Sequence, residues 1–198
     1  MHKFQTETIF SSFYLIVIVC FAIERASATF AVSKEVAHQT PQLITTIPLI
    51  TYCIIAALAI VEYFSGNRPV NYWISALGFS IFLTGIKLRA AAMKECGDNW
   101  NIHVSAKLVK KIITTGPYQF IRHPYYLAVI LELTGFSLIS NSYLTVTAVA
   151  LIQAPFLLTR IKLEEKELLS RFPDIYLHYK KAVNAFLPLR PYKQGKGI

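Results

Sequence analysis

The sequence predicts an all-α, polytopic integral membrane protein with about five transmembrane helices, and three observations lead there. Of 198 residues, 54% are hydrophobic and only 16% charged, where soluble proteins carry about a quarter charged residues. Mean hydropathy is +0.44. The charges cluster, leaving uncharged apolar runs long enough to cross a hydrocarbon layer, for which ~20 residues suffice. A water-facing globular surface and intrinsic disorder are both excluded by this composition. In so short a chain, any active site must be assembled from helix ends and loops.

The elements follow in order. No charge separates Glu7 from Glu24, which gives a first helix near 8–30. Ala26-Ser27-Ala28 has the form of a signal cleavage site, so a cleaved leader is the alternative. Only Lys3 supplies a firm positive charge before the run, and Glu24-Arg25 interrupt the approach to that site, which favours a retained span. A second helix, about 42–62, fills the uncharged stretch behind Pro41 and Pro48. Gly66-Asn67-Arg68-Pro69 is turn chemistry. A third helix then runs at about 71–92, with Lys87 and Arg89 reaching toward an interface. Residues 1–93 thus form three spans.

Residues 94–198 read as a second region. A connector, 94–124, is broken by Gly97, Asn99, Gly116, Pro117 and Pro124 and holds seven charged residues. A helical hairpin, 125–160, is nearly all apolar and turns at Asn141-Ser142. Arms of about 16–18 residues would each reach ~25 Å, so the connector and the C-terminal helix and tail, 161–198, emerge on one face. The connector carries five basic and two acidic residues and the segment 160–198 nine and four, which accounts for eight of the nine net positive charges. By the positive-inside rule this face is cytoplasmic, and five spans put the amino terminus outside. Because the basic residues flank spans, anionic membrane lipids explain them better than nucleic acid, which is not an expected partner. Cys20, Cys53 and Cys96 are odd in number and widely spaced, so neither a disulfide framework nor a metal site is expected.

Three features on the charged face could carry chemistry. Thr114-Thr115-Gly116-Pro117-Tyr118 leads to Arg122-His123-Pro124-Tyr125-Tyr126. Pro124 suits the first position of a helix, so Arg122 and His123 sit at a helix amino terminus that favours a carboxylate; an interfacial belt anchoring the helix is the structural alternative. Arg160 and Glu164 lie four apart on one helix face, either as an ion pair or as separate contacts to an anionic and a cationic ligand group. Pro155 should kink the helix before them. Glu132 is an acid two turns into an apolar helix, where it either functions or is neutralised by Lys87 or Arg89.

Taken together, Trp100, I-I-T-T-G-P-Y (112–118), R-H-P-Y-Y (122–126), Asn141, R-x-x-x-E-E-x-x-L (160–168) and F-x-x-x-Y-x-x-Y-K-K (172–181) resemble the isoprenylcysteine carboxyl methyltransferase family over about residues 94–191. Membrane methyltransferases acting on phospholipid amines share parts of the pattern. The resemblance implies a membrane-embedded enzyme that uses S-adenosylmethionine (SAM) to methylate the carboxylate of a lipophilic or prenylated acceptor. It also implies a cofactor shell of Lys110, Lys111, Ile112, Ile113, Tyr118, His123, Pro124, Tyr125, Tyr126 and Glu164, with Arg160 facing the substrate carboxylate. One position departs: the family's histidine that opens the strip is Lys110 here, and an ammonium can neither stack nor accept a proton as an imidazole does. The alternatives are methyl transfer to a phospholipid amine or small thiol, a sterol-reductase-like reaction, and a non-catalytic membrane adaptor. Arg160 argues for an anionic acceptor over an amine, and the short chain argues against the larger reductases.

Overall fold

The structure, a computed structural model, describes residues 2–30, 42–66, 69–97, 111–189 and 191–192. Among these residues all regular structure is helical: α1 (His2–Phe30), α2 (Gln42–Ser65), α3 (Tyr72–Cys96), α4 (Pro124–Ile139), α5 (Tyr143–Ala148), α6 (Ala154–Arg171) and α7 (Pro173–Ala182). A 3-10 turn, Gly116–Gln119, precedes α4, and a π-helical turn, Val149–Gln153, joins α5 to α6. By length and apolar composition three segments can cross a membrane: Glu7–Arg25, Tyr72–Cys96 and Tyr143–Arg171. Leu49–Ser65 and Pro124–Ile139 are shorter apolar helices.

Between lipid-immersed helices the hydrophobic effect offers little, so close packing and polar contacts must hold them together. The antiparallel pair α3 and α4 uses glycine for the first. A Cβ at Gly135 would lie 2.5 Å from the Phe82 nitrogen, and one at Gly78 would lie 2.6 Å from the Ile139 nitrogen. With no side chain at either place, the two backbones touch. Aromatic side chains fill the space between α4 and the first two helices: Phe21 stacks on Phe136 at 4.9 Å, and Tyr14 meets Tyr63 edge-on at 4.9 Å.

One end of the bundle is closed by the hairpin turn. Asn141 adopts φ +57, a left-handed conformation that asparagine tolerates better than most residues. Its side chain accepts from the Asn71 backbone N–H at 2.9 Å and donates to the Ser75 hydroxyl at 2.8 Å, which ties the α4–α5 turn to the start of α3. Glu62 accepts the backbone N–H groups of Leu144 and Thr145 at 3.1 and 2.9 Å, capping the returning helix from α2.

The polar contacts lie deeper. Glu132, fully buried on α4, accepts from Arg89 Nε at 2.6 Å and from the Tyr52 hydroxyl at 3.2 Å, with Arg25 Nη2 at 3.4 Å. Arg89 also pairs with Glu24, and the Arg25 guanidinium lies 3.9 Å over the Tyr52 ring. Of the two neutralising partners the sequence allowed, Arg89 is the one: it lies one turn beyond Gly85, which lets α4 approach at Glu132, whereas Lys87 points outward. Residues from α1, α2, α3 and α4 meet in this network, so the first helix is knitted into the bundle.

A π turn immediately precedes Pro155, where the sequence predicts a kink. The Ala154 N–H bonds to the Val149 carbonyl five residues back, which widens the helix just before Pro155. Past it α6 continues unbroken to Arg171, so Arg160 and Glu164 lie on one continuous helix.

Candidate active site

At the other end of the bundle, the last turn of α3 receives the 112–118 strip of the connector. Gly116 has φ +56, and a Cβ there would lie 2.7 Å from Glu95 Oε2, so glycine meets both the conformation and the close approach. The Thr115 hydroxyl donates to Glu95 Oε1. These contacts set the 3-10 turn against α3 and bring the Tyr118 hydroxyl within 3.0 Å of the Cys96 thiol, which donates to it. Burial pushes the Tyr118 phenol well above the usual tyrosine range, and the nearby Cys96 and Glu164 add to this. It stays neutral at any working pH.

His123 caps the start of α4 and Pro124 occupies its first turn. The carboxylate attracted to this helix start is the protein's own. Glu165 Oε1 accepts from Arg122 Nε and Nη2 at 3.1 and 2.9 Å and lies 3.0 Å from His123 Nε2. Glu165 Oε2 accepts from Lys180 Nζ at 2.6 Å. Successive residues on an α-helix point about 100° apart, so Glu164 faces another way. Its Oε2 accepts from the Tyr126 hydroxyl at 2.6 Å, and that same hydroxyl accepts from Arg160 Nε at 2.9 Å. One phenol thus separates the acid and the base of α6 and holds both.

The residues singled out from the sequence divide accordingly. Tyr126, Arg160 and Glu164 form one hydrogen-bonded group. His123 and Pro124 are buried at the start of α4, the imidazole engaged with Glu165. Tyr125 is half-buried, 5.9 Å edge-on from Tyr126. Tyr118 borders Glu164. Ile112 packs on Tyr176, Tyr179 and Val183 of the C-terminal segment, Ile113 is half-buried, and Lys111 is exposed. Lys110 and Trp100 lie outside the described residues.

Several contributors carry no distinguishing mark in the sequence. Glu165 looks like its neighbour Glu164, and Glu95 belongs to a charged helix end. The signal that could have found the remainder is the Tyr176, Tyr179, Lys180 spacing on α7, which turns two aromatic rings toward the connector and an ammonium toward Glu165. The Tyr179 hydroxyl donates to the Tyr118 carbonyl at 2.5 Å.

The donor set suits SAM, whose sulfonium and ammonium are cationic. Glu164 supplies a partly buried carboxylate beside the aromatic walls Tyr118 and Tyr126, and cations are favoured near both aromatic faces and acids.

Known proteins share this pattern. The family model described as the isoprenylcysteine carboxyl methyltransferase (ICMT) family matches residues 76–170. A protein-S-isoprenylcysteine O-methyltransferase of Schizosaccharomyces pombe is 33% identical over 61% of this chain and 51% of its own length. The cobalt-zinc-cadmium resistance protein CzcN of Cupriavidus metallidurans is 26% identical over 67% of this chain and 59% of its own. The chain spans about half the length of the curated relatives it matches. The solved structure of a eukaryotic intramembrane Ras methyltransferase, ICMT, superposes with a TM-score of 0.64 at 26% identity, covering 93% of this chain and 68% of that one. The match extends the likeness beyond the site to the membrane helices, and the protein is an integral membrane protein. The site motifs, the family model over residues 76–170 and the shared helical architecture all agree in what the chain is similar to: the isoprenylcysteine carboxyl methyltransferase family.

Proposed function

We propose that the protein is a membrane-embedded SAM-dependent methyltransferase acting on the carboxylate of a lipophilic, isoprenylcysteine-like acceptor. The observation that carries this reading is the Arg160–Tyr126–Glu164 group, which presents a guanidinium and a carboxylate side by side at the end of an apolar hairpin. Bound there, SAM supplies an electrophilic methyl group. A carboxylate is already ionised at neutral pH and needs no general base, so the protein has to align it and remove its water. Arg160, buried on α6, aligns it through paired N–H donors. Glu164 balances the cofactor's positive charge, with Tyr118 and Tyr126 as walls and Lys111, Ile112, Ile113, His123, Pro124 and Tyr125 completing the enclosure. The apolar faces of α4 and α6 receive the acceptor's hydrocarbon from the bilayer. The basic connector and C-terminal segment face the cytoplasm and admit the cofactor. The family relatives named for isoprenylcysteine methylation support this choice of acceptor over an amine.

Purified protein in lipid, incubated with methyl-labelled SAM and N-acetyl-S-farnesylcysteine, should yield a base-labile labelled ester. Label appearing instead in the amine headgroups of added membrane lipid would move the acceptor to the phospholipid branch. Absence of SAM binding by calorimetry would refute the enzyme reading.

A further inference from the structure

Glu165 itself has no place in the chemistry above, yet it gathers three polar side chains at this end of the bundle. Only 8% of it is exposed, and it joins three elements: the turn before α4 through Arg122 and His123, its own helix α6, and α7 through Lys180. The same junction is stitched by backbone. The Arg122 and His123 N–H groups donate to the Asn184 and Ala185 carbonyls at 3.0 and 3.1 Å. Arg122 Nη1 donates to the Lys180 carbonyl at 2.9 Å and also to that of Val183. From there α7 reaches the cofactor strip, because Tyr179 donates to the Tyr118 carbonyl and Ile112 packs on Tyr176 and Tyr179.

We propose that Glu165 is a positioning residue: through Lys180 and Arg122 it clasps α7 over the 112–118 strip and holds that strip in register with Glu164 and Tyr126. This rests on the proposed reading of Glu164 and Tyr126 as a SAM site. A carboxylate shared by the Arg122 guanidinium, the Lys180 ammonium and the His123 imidazole in a half-dry setting makes strong, directional contacts. Glu164 and Glu165 then divide their work by helix geometry alone, one facing the ligand and the other holding the cover.

Lys180 tests this gently, since its side chain is 38% exposed and its replacement leaves the buried partners in place. Cys20 and Cys53 are replaced by serine, so that Cys96, which touches Tyr118 under the strip, is the remaining thiol. In lipid nanodiscs, Lys180→Met should speed maleimide labelling of Cys96 and raise the KM for SAM about fivefold, the upper range for a partly exposed ion pair. The kcat at saturating SAM should stay near that of the parent, and Lys180→Arg should restore both readouts. Unchanged labelling together with an unchanged KM in Lys180→Met would overturn the clasp. Faster labelling in a protein whose parent binds no SAM would uphold the clasp and sink the cofactor reading on which its purpose depends.

Discussion

At the scale of single residues, the phenol of Tyr126 decides what Arg160 and Glu164 can do. Four residues apart on α6, they could close an ordinary ion pair. The hydroxyl donates to one and accepts from the other, so a neutral phenol bridges the two charges. Tyr126→Phe retains the ring but removes this bridge. We expect it to raise the KM for both SAM and acceptor and to lower kcat/KM by about tenfold to a hundredfold, the range for losing a hydrogen bond to a charged group. The neighbouring variants should separate the two ligands: Glu164→Gln weakens SAM binding with the acceptor's KM nearly intact, and Arg160→Ala does the reverse. Steady-state kinetics with each ligand varied in turn checks all three, and equal effects of Glu164→Gln and Arg160→Ala on both ligands would refute the division of roles.

At the scale of elements, the contact between α3 and α4 combines close backbone approach with a buried ion pair. Gly78 and Gly135 bring the backbones together, and Arg89 meets Glu132 in the resulting space. Removing one member of a buried pair leaves the other charge uncompensated, at a cost of about 3–5 kcal/mol. Glu132→Leu should therefore destabilise the protein by roughly 3 kcal/mol, seen as a lower midpoint in detergent thermal unfolding. The double variant Arg89→Met with Glu132→Leu should recover part of that loss. If the double variant is no more stable than Glu132→Leu, Arg89 is not the partner that matters. The loss should reach α1 as well, since Arg25 and Glu24 belong to the same network.

At the scale of the whole molecule, the α3–α4 pair is antiparallel and the α4–α5 turn joins the start of α3, so the bundle has two chemically different ends. Ser65 lies at the end holding the hairpin turn, and Asp174 lies on α7 at the end holding the site. With the native cysteines removed, a cysteine at position 65 should react with an impermeant maleimide on intact cells, and one at 174 only after permeabilisation. The reverse pattern would turn the positive face outward.

Much of this was legible in the chain itself. The apolar runs, the break at Asn141-Ser142 and the spacing of Arg160 and Glu164 follow from local composition and from helical periodicity, both of which one sequence contains. So does the gathering of positive charge into two segments, and the motifs from 112 to 181 carried the family. Other features depend on which helices become neighbours. Arg25 meets Glu132 across more than a hundred residues of chain, and no local pattern selects that pairing from the other charges. The choice of Arg89 over Lys87 waited on the glycine that lets α4 approach. The separation of Glu164 from Glu165 waited on where α7 docks, because two identical adjacent side chains acquire different roles only through what each one faces. The sequence alone thus determined the class and the helices, since these arise from the solvent preference of contiguous residues. The tertiary structure decided which charges pair inside the helix bundle and which gather around Tyr126, since that depends on the direction in which each side chain leaves its helix.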